Sequence, residues 1–230
     1  MFWQKKKKAD EKIGGFAFFL SLFFLLFLAI FNLTLLPSLW DSYAFSNILR
    51  FSAAFLVGGW AAHYLIRGRT SVFIHELKHS IVSNLAGNKA KGMKIAERSG
   101  HFEYQYTKAT EEYNAFIALA PYFFPLFTLP ALGISLIFWY HNHAALVFAA
   151  GVGYGLDSLL NIRDIGPHQT DFTVIKGGFR VGLLYVVAMN TTLFTILMAW
   201  VMQEVFGLKF LLYGLWEVCF HLVAYYKGLT

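Results

Sequence analysis

Of the 230 residues of the chain, 57% are hydrophobic and 14% are charged. In soluble domains roughly a quarter of the residues are charged, so the composition excludes an ordinary soluble domain and predicts a membrane protein. Its one cysteine, Cys219, excludes both a disulfide framework and a cysteine-rich metal site. The net charge of +6 is expected to mark cytoplasmic loops rather than a nucleic-acid partner.

The apolar runs predict an all-α polytopic membrane protein with about six transmembrane helices in a single membrane domain. The first run, 14–36, contains no charged residue and is longer than a signal-peptide core, so we expect it to remain as an uncleaved span. The other predicted spans are 51–66, 114–138, 143–160, 181–202 and 210–226.

A polar stretch between the second and third spans is predicted to fold outside the hydrocarbon. Its first part, 70–85, has the pattern of an amphipathic helix, and Gly87 and Asn88 follow as a helix-end signal. Two segments of alternating polarity surround Arg98, Ser99 and Gly100. They predict a small β-hairpin over 92–106, because a glycine turn between alternating segments is typical of a hairpin.

The positions of the basic residues predict the orientation of the chain. If the helix 70–85 does not cross the membrane, every Lys and Arg except Arg50 and Lys209 lies at one face. Basic residues accumulate on the cytoplasmic side, so this face is expected to be cytoplasmic. A positive amino terminus without a cleavable signal fits a multi-pass protein of a bacterial inner membrane.

The helix 70–85 contains the pentad His75-Glu76-Leu77-Lys78-His79, an HExxH motif. Residues four apart on a helix point within about 40° of each other, so the two imidazoles can bind one metal ion. Two neutral imidazoles suit zinc, which takes a third protein ligand and leaves its fourth position to water. Glu76 would take the proton of that water, whose pKa zinc lowers to roughly 7.

With these residues, the chain resembles the divergent branch of the site-2 protease family of membrane-embedded zinc metalloproteases. The likeness runs from about Thr70 to Phe172 and includes the apolar lead-in to HELKH, Gly87, the hairpin and a span opening on Ala120-Pro121. It implies that His75 and His79 bind zinc and that Glu76 is the catalytic base. The chain departs from the family in having Lys78 where glycine is common before the second histidine.

The family also uses a distant aspartate as the third zinc ligand, and three residues are candidates. Asp171, after the fourth predicted span, looks most like that aspartate and is expected at the same membrane face as the motif. Asp164 is the second candidate and Asp157 the third. Asp157 lies inside a predicted span, where an ionisable group indicates either function or a buried partner such as Arg163.

The resemblance implies a zinc-dependent endopeptidase that hydrolyses a peptide bond in or near a transmembrane segment of a membrane protein. Its expected partners are that substrate, the bilayer and a regulatory membrane protein. The hairpin could hold a substrate strand by strand addition. Two alternatives stay open: a catalytically silent scaffold that binds a membrane partner, and a di-iron membrane oxygenase, which needs more ligands than His75 and His79 supply.

Overall fold

The computed structural model describes residues 15–96, 99–105, 114–175 and 177–226. Within these ranges the chain is mostly helical and carries one antiparallel sheet of two strands. The helices are α1 (Gly15–Leu35), α2 (Ser42–Leu65), α3 (Arg69–Leu85), α4 (Asn114–Ala118), α5 (Thr128–Trp139), α6 (His143–Arg163), α7 (Thr170–Thr173) and α8 (Gly178–Tyr226). The strands are β1 (Lys89–Ile95) and β2 (Gly100–Gln105), and short 3-10 turns cover Leu36–Leu39 and Ala120–Tyr122.

Three helical segments of the described chain are long and apolar enough to cross a membrane: Leu22–Leu39, His143–Arg163 and Gly178–Val218. Large apolar side chains on their outer surfaces face away from the protein, as Phe23 and Leu33 do at 67% and 76% exposure. Such surfaces are unfavourable in water and compatible with lipid. The structure therefore indicates a membrane protein, as the composition predicts.

The segment predicted as one continuous span, 114–138, is divided in the structure into α4, a 3-10 turn and α5. Pro121 and Pro125 lie between the two helices and have no backbone N–H, so neither can donate the hydrogen bond that would continue a regular helix. A further apolar helix of the described chain, Thr128–Trp139, is shorter than a usual span. The break brings the 3-10 turn against α3, next to the HELKH motif.

Helix α2 begins well before the predicted start at residue 51. Asp41 caps it, because its carboxylate accepts a hydrogen bond from the Ala44 N–H at 2.6 Å. The helix packs tightly on α6 through glycines. A Cβ built on Gly155 would lie 2.1 Å from the Phe55 carbonyl oxygen, so only glycine permits this approach.

Helix α8 covers two predicted spans, 181–202 and 210–226, but its backbone is not helical at Gln203 and Glu204. Glu204 has a positive φ of 52°. A Cβ built on Gly207 would lie 1.9 Å from the Ala199 carbonyl oxygen, although residues eight apart in a straight helix are separated by about 12 Å. The chain therefore folds back at this point, and the two parts form a helical hairpin.

The predicted β-hairpin is confirmed as an antiparallel pair whose first strand begins at Lys89. Met93 pairs with Phe102 and Ile95 with Gly100, so Gly100, which was predicted in the turn, is the first residue of the second strand. Glu97 and Arg98 of the predicted hairpin, and Tyr106 at its end, lie outside the described residues. Both strands contact α3, which places the hairpin over the helix that carries the HELKH motif.

A buried ion pair joins α3 to α6. The Lys78 ammonium, 1% exposed, lies 3.3 Å from Asp157 Oδ1 and donates to Asn161 Oδ1 at 2.6 Å. The other Asp157 oxygen accepts hydrogen bonds from the Phe127 N–H and from both the N–H and the hydroxyl of Thr128. Asp157 thus anchors the start of α5 as well as Lys78, and these contacts fix the rotation of α3 about its axis.

Candidate metal centre

Helix α3 presents both histidines of the motif to the same cleft. The ring centroids of His75 and His79 are 5.1 Å apart, as expected for residues one helical turn apart. Both side chains are largely buried, at 14% and 11% exposure. The outward ring nitrogens therefore lie in a site that is mostly closed to solvent.

The tautomer of His79 follows from its partner. Its Nδ1 lies 2.8 Å from the Ile117 carbonyl oxygen, which can only accept a hydrogen bond, so Nδ1 carries the proton. Nε2 of the neutral ring then keeps its lone pair and is available to a metal. Ile117, at the end of α4, is 1% exposed and packs with Val82 of α3, which holds this carbonyl in place.

His75 lies between two carboxylates. Its Nδ1 is 3.4 Å from Asp164 Oδ2, and its Nε2 is 3.1 Å from Asp171 Oδ2. Burial alone would lower the pKa of His75, but the hydrogen bonds to Asp164 and Asp171 outweigh it and raise the pKa to about 9. In the metal-free protein, an imidazolium therefore bridges the two aspartates.

Asp171 reaches the cleft from α7, a helix of four residues that the sequence did not predict. The helix is anchored by Phe172, which is fully buried in an apolar cluster with Tyr122. The Tyr122 hydroxyl donates a hydrogen bond to Asp171 Oδ2 at 2.9 Å. Burial raises the pKa of Asp171, but the hydrogen bond from His75 and the nearby His79 imidazole have the larger combined effect and hold that pKa below its usual range.

The three side chains form a group that could hold a metal ion. Ligand atoms of His75, His79 and Asp171 all lie within 4.8 Å of one another. Asp171 Oδ2 is 3.1 Å from His75 Nε2 and 3.6 Å from His79 Nε2. Two ligand atoms bound at about 2.0–2.1 Å to one tetrahedral ion such as zinc lie about 3.3 Å apart, which is close to both of these distances.

The other two candidates for the third ligand have different positions. Asp164 lies at the end of α6 on the far side of the His75 ring, where it faces Nδ1 rather than the nitrogen that points at Asp171. Histidine ligands commonly donate their second N–H to a carboxylate, and Asp164 has this position. Asp157 pairs with Lys78, which corrects the predicted partner Arg163; Arg163 instead donates to the Ile66 carbonyl and the Ser71 hydroxyl.

Glu76 lines the same cleft as the three candidate ligands and is 7% exposed. Burial raises the pKa of Glu76, and the neighbouring His79 and His75 oppose this shift. The hairpin closes the cleft above it: a Cβ built on Gly100 would lie 2.5 Å from Glu76 Oε1. The cleft is therefore bounded by α3 on one side and by the start of β2 on the other.

Sequence reasoning did not identify Tyr122, the Ile117 carbonyl or the position of Asp164 beside His75. The run Ala120-Pro121, part of the resemblance described above, forms the 3-10 turn that places Tyr122 beside Asp171. A backbone carbonyl has no signal in the sequence. Its assignment needs the contact between α3 and α4, which only the tertiary structure provides.

Comparison with models of known protein families, with curated proteins and with solved structures found no match to this chain. The class of this protein is therefore defined by its fold and its candidate metal site alone. It is a helical membrane protein in which an HExxH helix and a distant aspartate form a largely buried group that could hold a metal.

We expect the metal-free protein to lose stability as the pH rises from about 6.5 to about 9. The pKa of His75 is higher in the folded than in the unfolded chain, so its contribution is complete below pH 6.5 and is lost through about 9. The loss is at most about 3 kcal/mol. Thermal unfolding of the metal-stripped protein in detergent measures it, and His75→Ala should abolish this pH dependence. A flat profile in the wild type would contradict the bridged imidazolium.

Proposed function

We propose that the protein is a zinc-dependent endopeptidase of the membrane that cleaves a membrane-protein substrate in or near a transmembrane segment. One observation supports the proposal: Asp171 Oδ2 lies 3.1 Å from His75 Nε2 and 3.6 Å from His79 Nε2, in a group of ligand atoms that all lie within 4.8 Å of one another. The glutamate that the HExxH motif provides lines the same cleft. The same residues carry the resemblance to the site-2 protease family.

Zinc bound there would polarise the scissile carbonyl and acidify a water molecule. The protein's own residues supply the remaining functions. Glu76, whose pKa burial raises, is suited to take a proton from the attacking water and pass it to the leaving amine. Asp164 and the Ile117 carbonyl hold the Nδ1 atoms of the two histidines, which turns both Nε2 atoms toward Asp171.

The proposed topology has six spans with the metal centre at the cytoplasmic face of a bacterial inner membrane. It counts α1, α2, the divided segment 114–139, α6 and the two parts of α8 as spans. The break in α8 supports this count, because a chain that folds back at Glu204 can cross the membrane twice. The distribution of Lys and Arg supports the cytoplasmic orientation.

The hairpin is proposed to hold the substrate in an extended form. A peptide bond inside a helix must be unwound before it can be attacked, and an added strand supplies hydrogen bonds for the unwound backbone. Strand β2 starts at Gly100, directly above Glu76, so a segment lying along β2 would pass the proposed base. The proposed substrate class is therefore a transmembrane segment that opens easily next to the cytoplasmic face.

We expect Gly100→Ala to lower cleavage about 100-fold while zinc content stays unchanged. The added methyl would lie 2.5 Å from Glu76 Oε1 and 2.7 Å from Val72 Cγ1, so either the base or the hairpin must move. Misplacement of a reacting group by about 1 Å can have an effect of this size. Gly92→Ala is the matched control in the same hairpin, because its Cβ would meet open space. Equal cleavage by both variants would contradict the proposed position of Glu76.

The proposal is tested by metal content and cleavage measured on the same detergent-purified protein. We expect about one zinc per chain by elemental analysis in the wild type, and loss of zinc in His75→Ala. A fluorescently labelled synthetic transmembrane peptide should be cleaved by the zinc-loaded wild type and not after chelation. A folded wild type without bound metal would overturn the proposal, whereas zinc without cleavage of such peptides would favour the silent scaffold.

A further inference from the structure

Tyr122 stands out among the residues near the metal centre because it is fully buried and yet polar. Its hydroxyl donates to Asp171 Oδ2 at 2.9 Å, and its ring meets the edge of His75 at a centroid distance of 5.6 Å. The ring packs on Phe172 at 4.7 Å. A phenylalanine could make the same ring contacts, so the hydroxyl must be explained by what it does to Asp171.

The Asp171 carboxylate needs a hydrogen-bond donor that holds its orientation, because the helix that carries it is short. Helix α7 has four residues, and its N-cap Gln169 makes no side-chain capping hydrogen bond. The neighbouring Phe172 fixes the position of the helix, but it does not fix the rotation of the Asp171 carboxylate. A carboxylate that rotates freely can offer a metal one oxygen or both.

The hydroxyl contacts the same oxygen that faces both histidines. Oδ2 of Asp171 lies 2.9 Å from the Tyr122 hydroxyl, 3.1 Å from His75 Nε2 and 3.6 Å from His79 Nε2. Tyr122 is itself anchored from α8, because Asn190 Nδ2 donates to its carbonyl oxygen at 2.8 Å. The hydroxyl is thus a fixed donor that defines which carboxylate oxygen points into the site.

We propose that Tyr122 is a positioning residue that keeps Asp171 a one-oxygen metal ligand and so leaves the fourth coordination position open. This inference rests on the proposed metal site and extends it to a residue outside the ligand set. Tyr122 is fully buried, so it acts on a substrate only through Asp171. An open fourth position distinguishes a catalytic zinc site from a closed structural one.

The experiment compares metal binding by the wild type, Tyr122→Phe and Tyr185→Phe. Tyr185 is the matched control, a partly buried tyrosine that packs in the same apolar cluster against Phe123. Zinc dissociation constants are measured by competition with a chelator at fixed pH. We expect the constant of Tyr122→Phe to rise about 10-fold, the size typical of losing an outer partner of a ligand, and that of Tyr185→Phe to stay at the wild-type value.

Two further measurements separate positioning from a general effect on the fold. In an Asp171→Ala background, Tyr122→Phe should cause no additional loss of affinity, because the hydroxyl acts through that carboxylate. The cobalt-loaded Tyr122→Phe protein should show the weaker visible absorption of higher-coordinate cobalt if Asp171 then binds through both oxygens.

An unchanged dissociation constant and spectrum in Tyr122→Phe would overturn the inference and leave the proposed function intact. Additive losses in the Asp171→Ala background, or an unfolded Tyr122→Phe protein, would overturn it in favour of a structural role for the hydroxyl. A wild type that binds no metal would overturn the proposed function and this inference together.

Discussion

Replacing Glu76 with glutamine is expected to lower the rate of peptide cleavage by about 10²–10⁴-fold while leaving zinc content unchanged. The amide keeps the size of the side chain but cannot accept the proton of the attacking water. Glu76 is 7% exposed, and burial raises its pKa, so a neutral glutamine should fit the site without loss of stability. Cleavage of the labelled peptide, zinc content and the thermal midpoint are measured on the same preparation.

The matched control for this variant is Glu217→Gln. Glu217 lies on α8, away from the cleft, is 39% exposed and lies 3.5 Å from His221. Removing its charge changes the net charge of the protein in the same way, but should leave cleavage unaffected. Full activity in Glu76→Gln, with zinc present, would show that another group serves as the base and would remove the proposed role of Glu76.

Asp171→Ala and Asp164→Ala are expected to weaken zinc binding to different degrees. Asp171 faces Nε2 of His75, whereas Asp164 faces Nδ1 of the same ring. We expect Asp164→Ala to weaken zinc binding by about 10–100-fold, as expected for a residue that orients a ligand. Asp171→Ala should exceed that range and leave the purified protein without stoichiometric zinc.

Chelator competition and elemental analysis on these variants decide between the two aspartates. Asp157→Asn is the third arm, because Asp157 pairs with Lys78 and with the start of α5. It should lower the thermal midpoint and keep zinc affinity near that of the wild type. Loss of zinc in Asp164→Ala together with its retention in Asp171→Ala would reverse the proposed ligand assignment.

Much of the fold follows from the sequence because apolar runs and glycine turns act locally. The membrane character, the helix of the HELKH motif and the β-hairpin were predicted from such patterns. The interruption of 114–138 was not predicted, although Pro121 and Pro125 are visible in the sequence. Proline is tolerated in many transmembrane helices, so its presence alone does not decide whether a helix ends.

The ion-pair partner of Asp157 is a second feature that the sequence did not predict correctly. An ionisable residue inside a predicted span indicated a buried partner, and Arg163 was the nearest basic residue along the same helix. The structure pairs it instead with Lys78, which comes from α3 and is distant in sequence. Glycine is common at the position of Lys78 in the family that the sequence resembles. In this chain, Lys78 joins the motif helix α3 to α6. Which helices lie side by side depends on packing, which a single sequence does not display.

By itself, the sequence determined that His75, Glu76 and His79 share one helical region, because the geometry of a helix is repeated locally every 3.6 residues. Only the tertiary structure decided that Asp171 meets both Nε2 atoms while Asp164 meets Nδ1. The two aspartates are seven positions apart in the sequence, and the sequence left both of them as candidates for the third ligand. Their distinction depends on where α6 and α7 lie relative to α3, and Tyr122 and Phe172 contribute the contacts that fix α7 there.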